Sequence, residues 1–264
     1  MTNETFLLID TSYLIFYRIF AIKAWFNRAY PDDEITDPIL NETFMEKYDK
    51  LFISSIEKVI KNMKFNIPIS NWIFAQDCAC EKSIWRYELF PEYKDGRIDN
   101  TLIAKNIFKH TYENILKDFC IENQCKMIGV DKCEADDIIA VLTNYYLNNN
   151  KKVIILANDH DYFQLLKNSD VKIINLQNKL LNEKSTGEDL MMKILIGDKS
   201  DNIPPAFKKC GIKTAEKLIK DSELLEEKLE KEGREQYELN KKLIDFNEIP
   251  NIYKQQIINK FLNY

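Results

Sequence analysis

This 264-residue sequence is poor in residues that interrupt regular structure and in residues that bind soft metals. It contains six glycines and seven prolines, and no segment has the composition of a flexible linker. It has two histidines, His110 and His160, and six cysteines without a Cys-x-x-Cys pair. These counts give poor support to a zinc site and favour reduced thiols in a cytosolic protein.

Long hydrophobic runs are missing as well. No apolar stretch approaches the roughly 18 residues that span a bilayer, and the first residues lack the basic region and cleavage site of a signal peptide. We therefore expect a protein without a membrane segment that stays in the cytoplasm in which it is made. The chain is 45% apolar, which is enough to bury a sizeable core.

Positive charge is in the minority, with 37 Lys and Arg against 42 Asp and Glu and a net charge of −5. This balance argues against non-specific nucleic-acid binding by global charge. It does not exclude a local basic surface, because part of the negative excess comes from acids that cluster in the sequence pattern.

Strand and helix patterns alternate along the chain. Short apolar runs predict strands at residues 6–9, 72–76, 127–130, 153–156 and 171–175, and helical periodicity fills the intervals between them. This alternation predicts an α/β fold, with a mostly parallel central sheet and helices on both faces.

Acidic residues occur where these strands end and the next helices begin, and two more lie in a Gly-Asp-Lys-Ser-Asp-Asn motif at 197–202. The set comprises Asp10, Asp77, Glu134, Asp136, Asp137, Asp159, Asp161, Asp198 and Asp201. Ligands bind at the carboxyl edge of an open α/β sheet, so we expect the acids to gather there. Their mutual repulsion would be relieved by Mg²⁺ or Mn²⁺, which prefer oxygen ligands. An acidic pocket of this kind is a common device for cutting phosphodiesters.

A simpler explanation applies to three of these acids. Negative side chains at a helix start contribute about 0.3–1 kcal/mol each, which would account for Glu134, Asp136 and Asp137 taken alone. It does not account for Asp10 and Asp77, which end apolar strands. Metal binding is therefore the favoured interpretation of the whole set.

Aromatic residues alternate with cations between residues 85 and 97, where Pro91 and Gly96 interrupt regular structure. This composition suits a surface that holds single-stranded nucleic acid by stacking and phosphate contact. A solvated helical hairpin explains the composition about equally well. A charged helix is predicted to follow, up to Lys117.

A second basic segment follows the motif at 197–202. Lys208-Lys209-Cys210-Gly211 forms a short turn, and the next predicted helix carries Lys213, Lys217 and Lys220 at helical spacing. Backbone N–H groups at a helix start bind anions, so we favour phosphate contact here. The alternative is the solvated face of an ordinary helix.

Five motifs, in this order, resemble the flap-endonuclease, or structure-specific 5′-nuclease, superfamily. They are Ile9-Asp10-Thr11-Ser12-Tyr13, Tyr17-Arg18, Glu134-Ala135-Asp136-Asp137-Ile138-Ile139, Asn158-Asp159-His160-Asp161-Tyr162-Phe163-Gln164-Leu165 and Gly197-Asp198-Lys199-Ser200-Asp201-Asn202-Ile203-Pro204. Residues 85–97 resemble the bridge, or arch, of that superfamily, and residues 241–250 resemble its bacteriophage ribonuclease H branch. The likeness covers nearly the whole chain.

The resemblance implies a role for particular residues. It implies that the nine acids hold two Mg²⁺ ions, for which Mn²⁺ can substitute. It implies a catalytic role at the scissile phosphate for Lys94 and Arg97, with Arg86 either orienting them or contacting phosphate itself. The residues it implies for nucleic-acid binding are Tyr17, Arg18, Lys208, Lys209, Gly211, Lys213 and Lys217.

The resemblance also implies a domain division. Residues 1–184 would form the α/β nuclease core, with the bridge at about 78–117, and residues 185–264 would form a helical duplex-binding region with a helix–turn–helix clamp. The clamp turn of the superfamily carries Gly-x-Gly, whereas Lys209 holds the first glycine position here. Close approach of a backbone to phosphate requires glycine, so we expect duplex binding to depend more on Lys208 and Lys209.

The activity implied is that of a metal-dependent 5′-to-3′ exonuclease and flap endonuclease. It would act on DNA and RNA–DNA hybrid with 5′ ends, flaps or forks, remove RNA primers and 5′ flaps in replication, and work as a monomer, in the host bacterial cytoplasm if the chain is of phage origin. Help from a single-strand-binding protein or a sliding clamp is left open. The alternatives are a PIN-type ribonuclease and a catalytically silent DNA-junction binding protein.

Overall fold

A parallel β-sheet is the centre of the fold in the computed structural model, which describes residues 4–35, 37–79, 83–96, 101–181 and 187–264. Its five strands are β1 (Thr5–Asp10), β2 (Trp72–Gln76), β3 (Lys126–Gly129), β4 (Lys152–Leu156) and β5 (Val171–Ile174), in the order β3-β2-β1-β4-β5. All neighbouring strands are parallel. The strands predicted from apolar runs are confirmed to within one residue at each end.

Both faces of the sheet are covered, because every strand is apolar on both sides. Leu8 of β1 packs into one hydrophobic core, and its neighbours Leu7 and Ile9 pack into the other, as the two-residue period of a strand requires. The first core contains residues of α6 (Ala135–Asn148) and α11 (Asn251–Leu262). The second contains residues of α1 (Thr11–Ala29), α2 (Glu42–Asn62) and α5 (Lys117–Asn123). The predicted mostly parallel α/β fold is confirmed.

The segment predicted as a bridge is helical on both sides of a turn. Helix α3 (Trp85–Leu89) leads into a turn that contains Tyr93 and Lys94. Helix α4 (Thr101–His110) then continues through a π-helical turn, Thr111–Leu116, into α5. Arg97, which was predicted to act at the scissile phosphate, lies outside the described residues.

The C-terminal third is helical and has a core of its own. It contains α7 (Gly187–Ile196), α8 (Ile212–Lys220), α9 (Ser222–Glu232) and α10 (Arg234–Ile244), whose apolar side chains enclose Phe207. Helix α7 ends before Gly197, as predicted. Gly197 has a φ of +74°, and a Cβ there would lie 2.3 Å from the carbonyl oxygen of Ile203, so the turn requires glycine. The division at residues 184 and 185 lies outside the described residues and stays a prediction.

Helix length and composition bear on the expected absence of a membrane segment. The two longest helices, α1 and α2, have 19 and 21 residues. Across the part of the chain that the structure describes, no helix is both long and apolar enough to cross a membrane.

Candidate metal centre and nucleic-acid interface

Two acids end the neighbouring strands β1 and β2. Asp10 caps α1, and its carboxylate accepts hydrogen bonds from the backbone N–H of Tyr13 (3.0 Å) and the hydroxyl of Tyr162 (3.1 Å). Asp77 accepts a hydrogen bond from the hydroxyl of Ser12 and another from the backbone N–H of Ala135 (2.7 Å). Burial, together with the nearby charge of Asp77, raises the pKa of Asp10 to about 7.

A group of three acids at the start of α6 forms what we call the α6 cluster, Glu134, Asp136 and Asp137. One carboxylate oxygen of each lies within 4.8 Å of the others. Glu134 caps the helix, and Asp137 accepts a hydrogen bond from the backbone N–H of Glu134 (3.0 Å) in a capping box. Helix capping therefore explains part of the placement of these acids.

Capping does not explain Asp136. Its Oδ1 atom is buried and accepts no hydrogen bond within the described residues, and Arg86 Nη1 is 4.0 Å away. Burial and the charge of Glu134 raise the pKa of Asp136 well above its ordinary value. A buried acceptor without a partner is costly, and an oxygen-binding cation is the chemical group that would satisfy it.

Arg86 lies beneath the α6 cluster with only 2% of its surface exposed. Its guanidinium donates to Glu134 at 2.9 Å and to both oxygens of Asp137 at 3.0 and 2.9 Å. Its Nε donates to the backbone carbonyl of Leu243 at 2.9 Å. The guanidinium therefore faces the acids and orients Glu134 and Asp137, whereas the orientation of Lys94 and Arg97 implied for Arg86 stays a prediction. Direct phosphate contact by Arg86 stays a prediction.

A second group, which we call the α7 cluster, combines Asp161, Asp198 and Asp201. Their carboxylate oxygens also lie within 4.8 Å of one another. Lys193, on the last turn of α7, forms ion pairs with Asp161 and, at 2.6 Å, with Asp198. Burial works against the charged form of Lys193, yet the two carboxylates outweigh it and raise its pKa.

The same lysine affects the two carboxylates differently. Burial raises the pKa of Asp161 to about 6, although the charge of Lys193 opposes this shift. Burial also opposes ionisation of Asp198, but hydrogen bonds from Lys193 and Ser200 outweigh it and lower the pKa of Asp198. The α7 cluster therefore contains two carboxyl groups, those of Asp161 and Asp198, whose pKa values are shifted in opposite directions.

The bridge turn joins the two clusters. The hydroxyl of Tyr93 lies 3.2 Å from a carboxylate oxygen of Glu134 and 3.0 Å from one of Asp201. Lys94 donates its backbone N–H to the carbonyl of Asp201 (2.9 Å), and its ammonium forms an ion pair with Glu134. Burial opposes ionisation of Glu134, but the charges of Lys94 and Arg86 prevail and lower its pKa.

Asp159 lies close enough to Asp10 and to Asp161 for its charge to act on both. It is exposed, and its carboxylate accepts a hydrogen bond from the backbone N–H of Asp161 (2.9 Å) at the start of the 3-10 turn His160–Leu165. Its charge contributes to the raised pKa of both Asp10 and Asp161. The structure thus brings all nine predicted acids to the carboxyl edge of the sheet or directly beside it.

The donor set fits hard divalent cations. Each cluster offers three carboxylates, and the α6 cluster contains the unsatisfied oxygen of Asp136. Oxygen ligands at this density are typical of Mg²⁺ and Mn²⁺ sites. The lysine in each cluster, Lys94 or Lys193, supplies positive charge beside the carboxylates.

The predicted lysines of the clamp lie on the turn before α8 and along that helix, as far as its last turn. Lys208, Lys209, Lys213 and Lys217 are all exposed. Lys209 has a φ of +60°, which is the left-handed conformation that glycine adopts most readily and is the position where the superfamily carries its first glycine. A Cβ at Gly211 would meet no heavy atom within 4 Å, so the backbone there is open to a ligand.

One cavity is lined both by acids and by the residues at the start of α8. Its volume is about 1140 Å³, and it is lined by Asp159, Asp161 and Asp198 at one end and by Gly211 and Ile212 at the other. The α7 cluster and the start of α8 therefore face a common space.

Tyr17 and Arg18 lie apart from the acid clusters, further along α1. The Arg18 guanidinium is 4.8 Å from the centroid of the Tyr17 ring. Its Nε atom is buried and makes no hydrogen bond to any described residue, and burial lowers the pKa of Arg18. Their predicted contact with nucleic acid stays a prediction.

Sequence reasoning missed several side chains that touch the acids, among them Lys193, Tyr93 and Tyr162. Lys193 precedes Asp198 by five residues, on the helix that leads into the motif at 197–202. Its closeness in sequence to two candidate metal ligands could have identified it as a partner of these acids. Tyr93 lies in the bridge segment and Tyr162 in the motif at 158–165, but nothing in their spacing identified the carboxylates to which they donate.

Comparison with known proteins is consistent with this geometry. Residues 5–193 match the family model described as the 5′–3′ exonuclease, N-terminal resolvase-like domain. Ribonuclease H of Enterobacteria phage T4 is 26% identical over 244 residues, which cover 82% of this chain and 80% of that protein. A 5′–3′ exonuclease of Bacillus subtilis is 25% identical over 243 residues, covering 87% of this chain and 74% of that protein.

A solved structure shares the fold. It is the crystal structure of a bacteriophage T5 flap endonuclease variant in a pseudo-enzyme–product complex with DNA and metal ions. It superposes with a TM-score of 0.65 at 16% identity, and the match covers 97% of this chain and 98% of that chain. At this identity the likeness shows the fold.

Proposed function

The chain belongs to the 5′–3′ exonuclease family whose N-terminal resolvase-like domain its residues 5–193 match, and from this premise we propose its substrates and its site. Its chemistry is the hydrolysis of phosphodiester bonds, as in the other members of this family. We infer that it is a metal-dependent 5′-to-3′ exonuclease and flap endonuclease that acts on DNA and RNA–DNA hybrid.

The observation that carries this proposal is the meeting of the two acid clusters at the bridge turn. Tyr93 lies within hydrogen-bonding distance of both clusters, and Lys94 is bonded to Glu134 and to the backbone of Asp201. A lysine between two candidate cation sites can reach a phosphate that those cations bind. This arrangement supports hydrolysis at the junction of the clusters rather than simple junction binding.

The α6 and α7 clusters, together with Asp10, Asp77 and Asp159, would hold Mg²⁺, with Mn²⁺ as a substitute. Bound there, divalent cations would supply Lewis-acid chemistry, which lowers the pKa of an attacking water and neutralises charge on the phosphate. The protein contributes the placement of the carboxylates, through the hydrogen bonds from Ser12, Tyr13, Arg86 and Tyr162.

The cations of the chain have separate proposed roles. Lys94 would bind a non-bridging oxygen of the scissile phosphate, where negative charge increases in the transition state. Arg86 would hold Glu134 and Asp137 in place. Arg97 would assist Lys94 at the phosphate.

Nucleic acid would be held on both sides of the site. Lys208, Lys209, Lys213 and Lys217 would contact the phosphates of a duplex, with the open backbone at Gly211 allowing close approach. Tyr17 and Arg18 would contact the strand near the bridge. The cavity between α7 and α8 supports this path, because its lining includes Asp161 and Asp198 of the α7 cluster and Gly211 and Ile212 at the start of α8.

The biological task we propose is the removal of RNA primers and 5′ flaps during replication, by a monomer in the cytoplasm. The phage T4 relative named ribonuclease H is similar over most of both chains, which supports a hybrid substrate. This task leaves room for a single-strand-binding protein or a sliding clamp as an assisting partner.

The test is cleavage of a 5′-labelled flap, an RNA–DNA hybrid and single-stranded RNA, each in Mg²⁺ and then in EDTA. We expect both duplex substrates to be cut only in Mg²⁺, with products that carry a 5′-phosphate. Asp10→Asn should abolish cutting, and Asp118→Asn, which changes an exposed acid on α5, should not.

The alternatives give different results in the same assay. A PIN-type ribonuclease would cut single-stranded RNA and spare the flap. A catalytically silent junction-binding protein would retain the flap in a gel without cutting it. Cutting of the flap in EDTA would contradict the metal requirement.

A further inference from the structure

The last turn of α10 and the residues that follow it, Asn240 to Phe246, are hydrogen-bonded to two of the segments that carry the cluster acids and, through Arg86, to the third. We propose that this short segment, which we call the α10 anchor, sets the position of the two clusters relative to each other, and that Gln164 and Asn240 are positioning residues for metal binding. The inference rests on the proposed metal centre. Gln164 and residues 241–250 belong to motifs that the sequence showed, but no positioning role was assigned to them there.

The first contact reaches the α6 cluster. The carbonyl of Leu243 accepts a hydrogen bond from Arg86 Nε at 2.9 Å, and the other end of the same guanidinium holds Glu134 and Asp137. Carbonyls in the last turn of a helix lack intrahelical partners, so this one is available to the arginine. Arg86 thereby ties the α6 cluster to a carbonyl of α10 that lies 157 residues after the arginine in the sequence.

The second contact reaches the turn that carries Asp159 and Asp161. Gln164 lies on that 3-10 turn, and its amide nitrogen donates to the carbonyl of Ile244 at 3.1 Å. Its amide oxygen accepts from the backbone N–H of Phe246 at 2.8 Å. Two reciprocal bonds fix both the distance and the rotation of the turn against the α10 anchor.

The third contact reaches α7 and the turn after it. Asn240 is fully buried, and its amide nitrogen donates to the carbonyls of Ile194 (2.9 Å) and Pro204 (2.8 Å). Ile194 follows Lys193 directly, and Pro204 follows the turn that carries Asp198 and Asp201. One side chain therefore holds both ends of the segment that completes the α7 cluster.

These contacts have a functional consequence. The acids come from separate segments, and the carboxylates of each cluster repel one another, so the clusters need an external frame to keep their spacing. Groups that orient metal ligands typically change metal affinity by about 10- to 100-fold when removed. We expect the α10 anchor to act at the lower end of that range, since it acts through the turns.

The experiment measures Mn²⁺ binding to the full chain by isothermal titration calorimetry. Gln164→Met and Asn240→Leu remove the amides without a large change in size. Asn71→Leu is the matched control. Asn71 is also buried and also makes two hydrogen bonds, to Glu4 and to the carbonyl of Thr5, but at the amino end of β1, away from the acids.

We expect Gln164→Met and Asn240→Leu to raise the Kd for Mn²⁺ by about 10-fold, while Asn71→Leu binds like the unmodified protein at a similar loss of Tm. Cleavage by the two anchor variants should recover at high Mn²⁺, with the KM for a flap substrate unchanged. Unaltered Mn²⁺ affinity in both anchor variants would overturn the inference, as would an equal loss in Asn71→Leu.

Two further results are informative in this experiment. If Asn240→Leu fails to fold, Gln164→Met decides alone, because its amide lies at a part-buried position near the surface of the turn. If the unmodified chain binds no Mn²⁺, the proposed metal centre itself is wrong and the inference falls with it. If the unmodified chain binds Mn²⁺ but the anchor variants bind it equally well, the inference is wrong and the proposed metal centre still stands.

Discussion

Replacement of Arg86 by methionine should destabilise the protein strongly, because it leaves the buried carboxylate of Asp137 without its ion-pair partner and removes one of the two cations paired with Glu134. The guanidinium makes three hydrogen bonds to Glu134 and Asp137 and one to the carbonyl of Leu243, all between 2.9 and 3.0 Å. Asp137 is completely buried. Loss of one partner of a buried ion pair typically costs about 3–5 kcal/mol.

A loss of this size is large compared with the total stability of a domain, which is about 5–15 kcal/mol. We therefore expect Arg86→Met to lower the free energy of unfolding by about 3–5 kcal/mol in urea denaturation of the metal-free protein. Arg86→Lys should recover part of that loss, because it keeps the charge but loses the planar fork of donors. Arg28→Met is the matched control, since Arg28 is exposed on α1 and donates to the backbone carbonyl of Ala24.

The competing interpretation makes Arg86 a phosphate ligand. On that view Arg86→Met would leave the free energy of unfolding within about 0.5 kcal/mol of the unmodified protein, as for an ordinary surface substitution, and would weaken binding of a flap substrate. That pair of results would refute the assignment of Arg86 as the counter-charge of the α6 cluster.

The remaining predictions concern the phosphate, the proton and the duplex. Lys94→Ala should bind a flap normally but cut it about 10²–10³-fold more slowly in single turnover, and an unchanged rate there would leave Lys94 only a binding role. In the metal-free protein, the free energy of unfolding should fall as the pH rises from about 4 to 7, by up to about 1.4 kcal/mol per pH unit. The reason is that Asp10 in the native protein has a pKa raised to about 7 and keeps its proton, whereas the unfolded chain releases that proton near pH 4. Asp10→Asn should flatten this dependence in denaturation series across that range, and an unchanged slope would contradict the burial of its charge. Joint replacement of Lys208, Lys209 and Lys213 by alanine should weaken duplex binding and reduce the salt slope by up to about three contacts, whereas an equal loss on single strands would contradict the clamp.

The sheet and its acidic edge could be predicted from the sequence because both depend on local pattern. An apolar run such as 72–76 identifies a buried strand by itself, and an acid directly after it, such as Asp77, must lie at the strand's carboxyl end. The parallel topology then brings Asp10 and Asp77 together without further information. The helix ends at Gly197 and Glu134 were equally readable, since each follows a local capping rule.

The contacts that hold the acids in place could not be predicted in the same way. Tyr93 and Asp201 are 108 residues apart, and Arg86 and Leu243 are 157 apart, so no local pattern connects them. Arg86 also shows what local composition cannot predict. A cation beside aromatic residues suggests an exposed binding surface, but Arg86 is buried because α10 packs against it. The left-handed conformation of Lys209 is a related case, in which the turn imposes a backbone geometry that its residue type does not favour.

The most direct test of the central claim compares one substitution in each acid cluster. Asp136→Asn and Asp161→Asn should each lower the single-turnover rate of flap cleavage in Mg²⁺ by about 10²-fold or more. Binding of the same flap in EDTA should be retained or strengthened, because each change removes a negative charge near the phosphates. Cleavage at the unmodified rate by either variant would contradict the assignment of these two clusters as the catalytic metal centre.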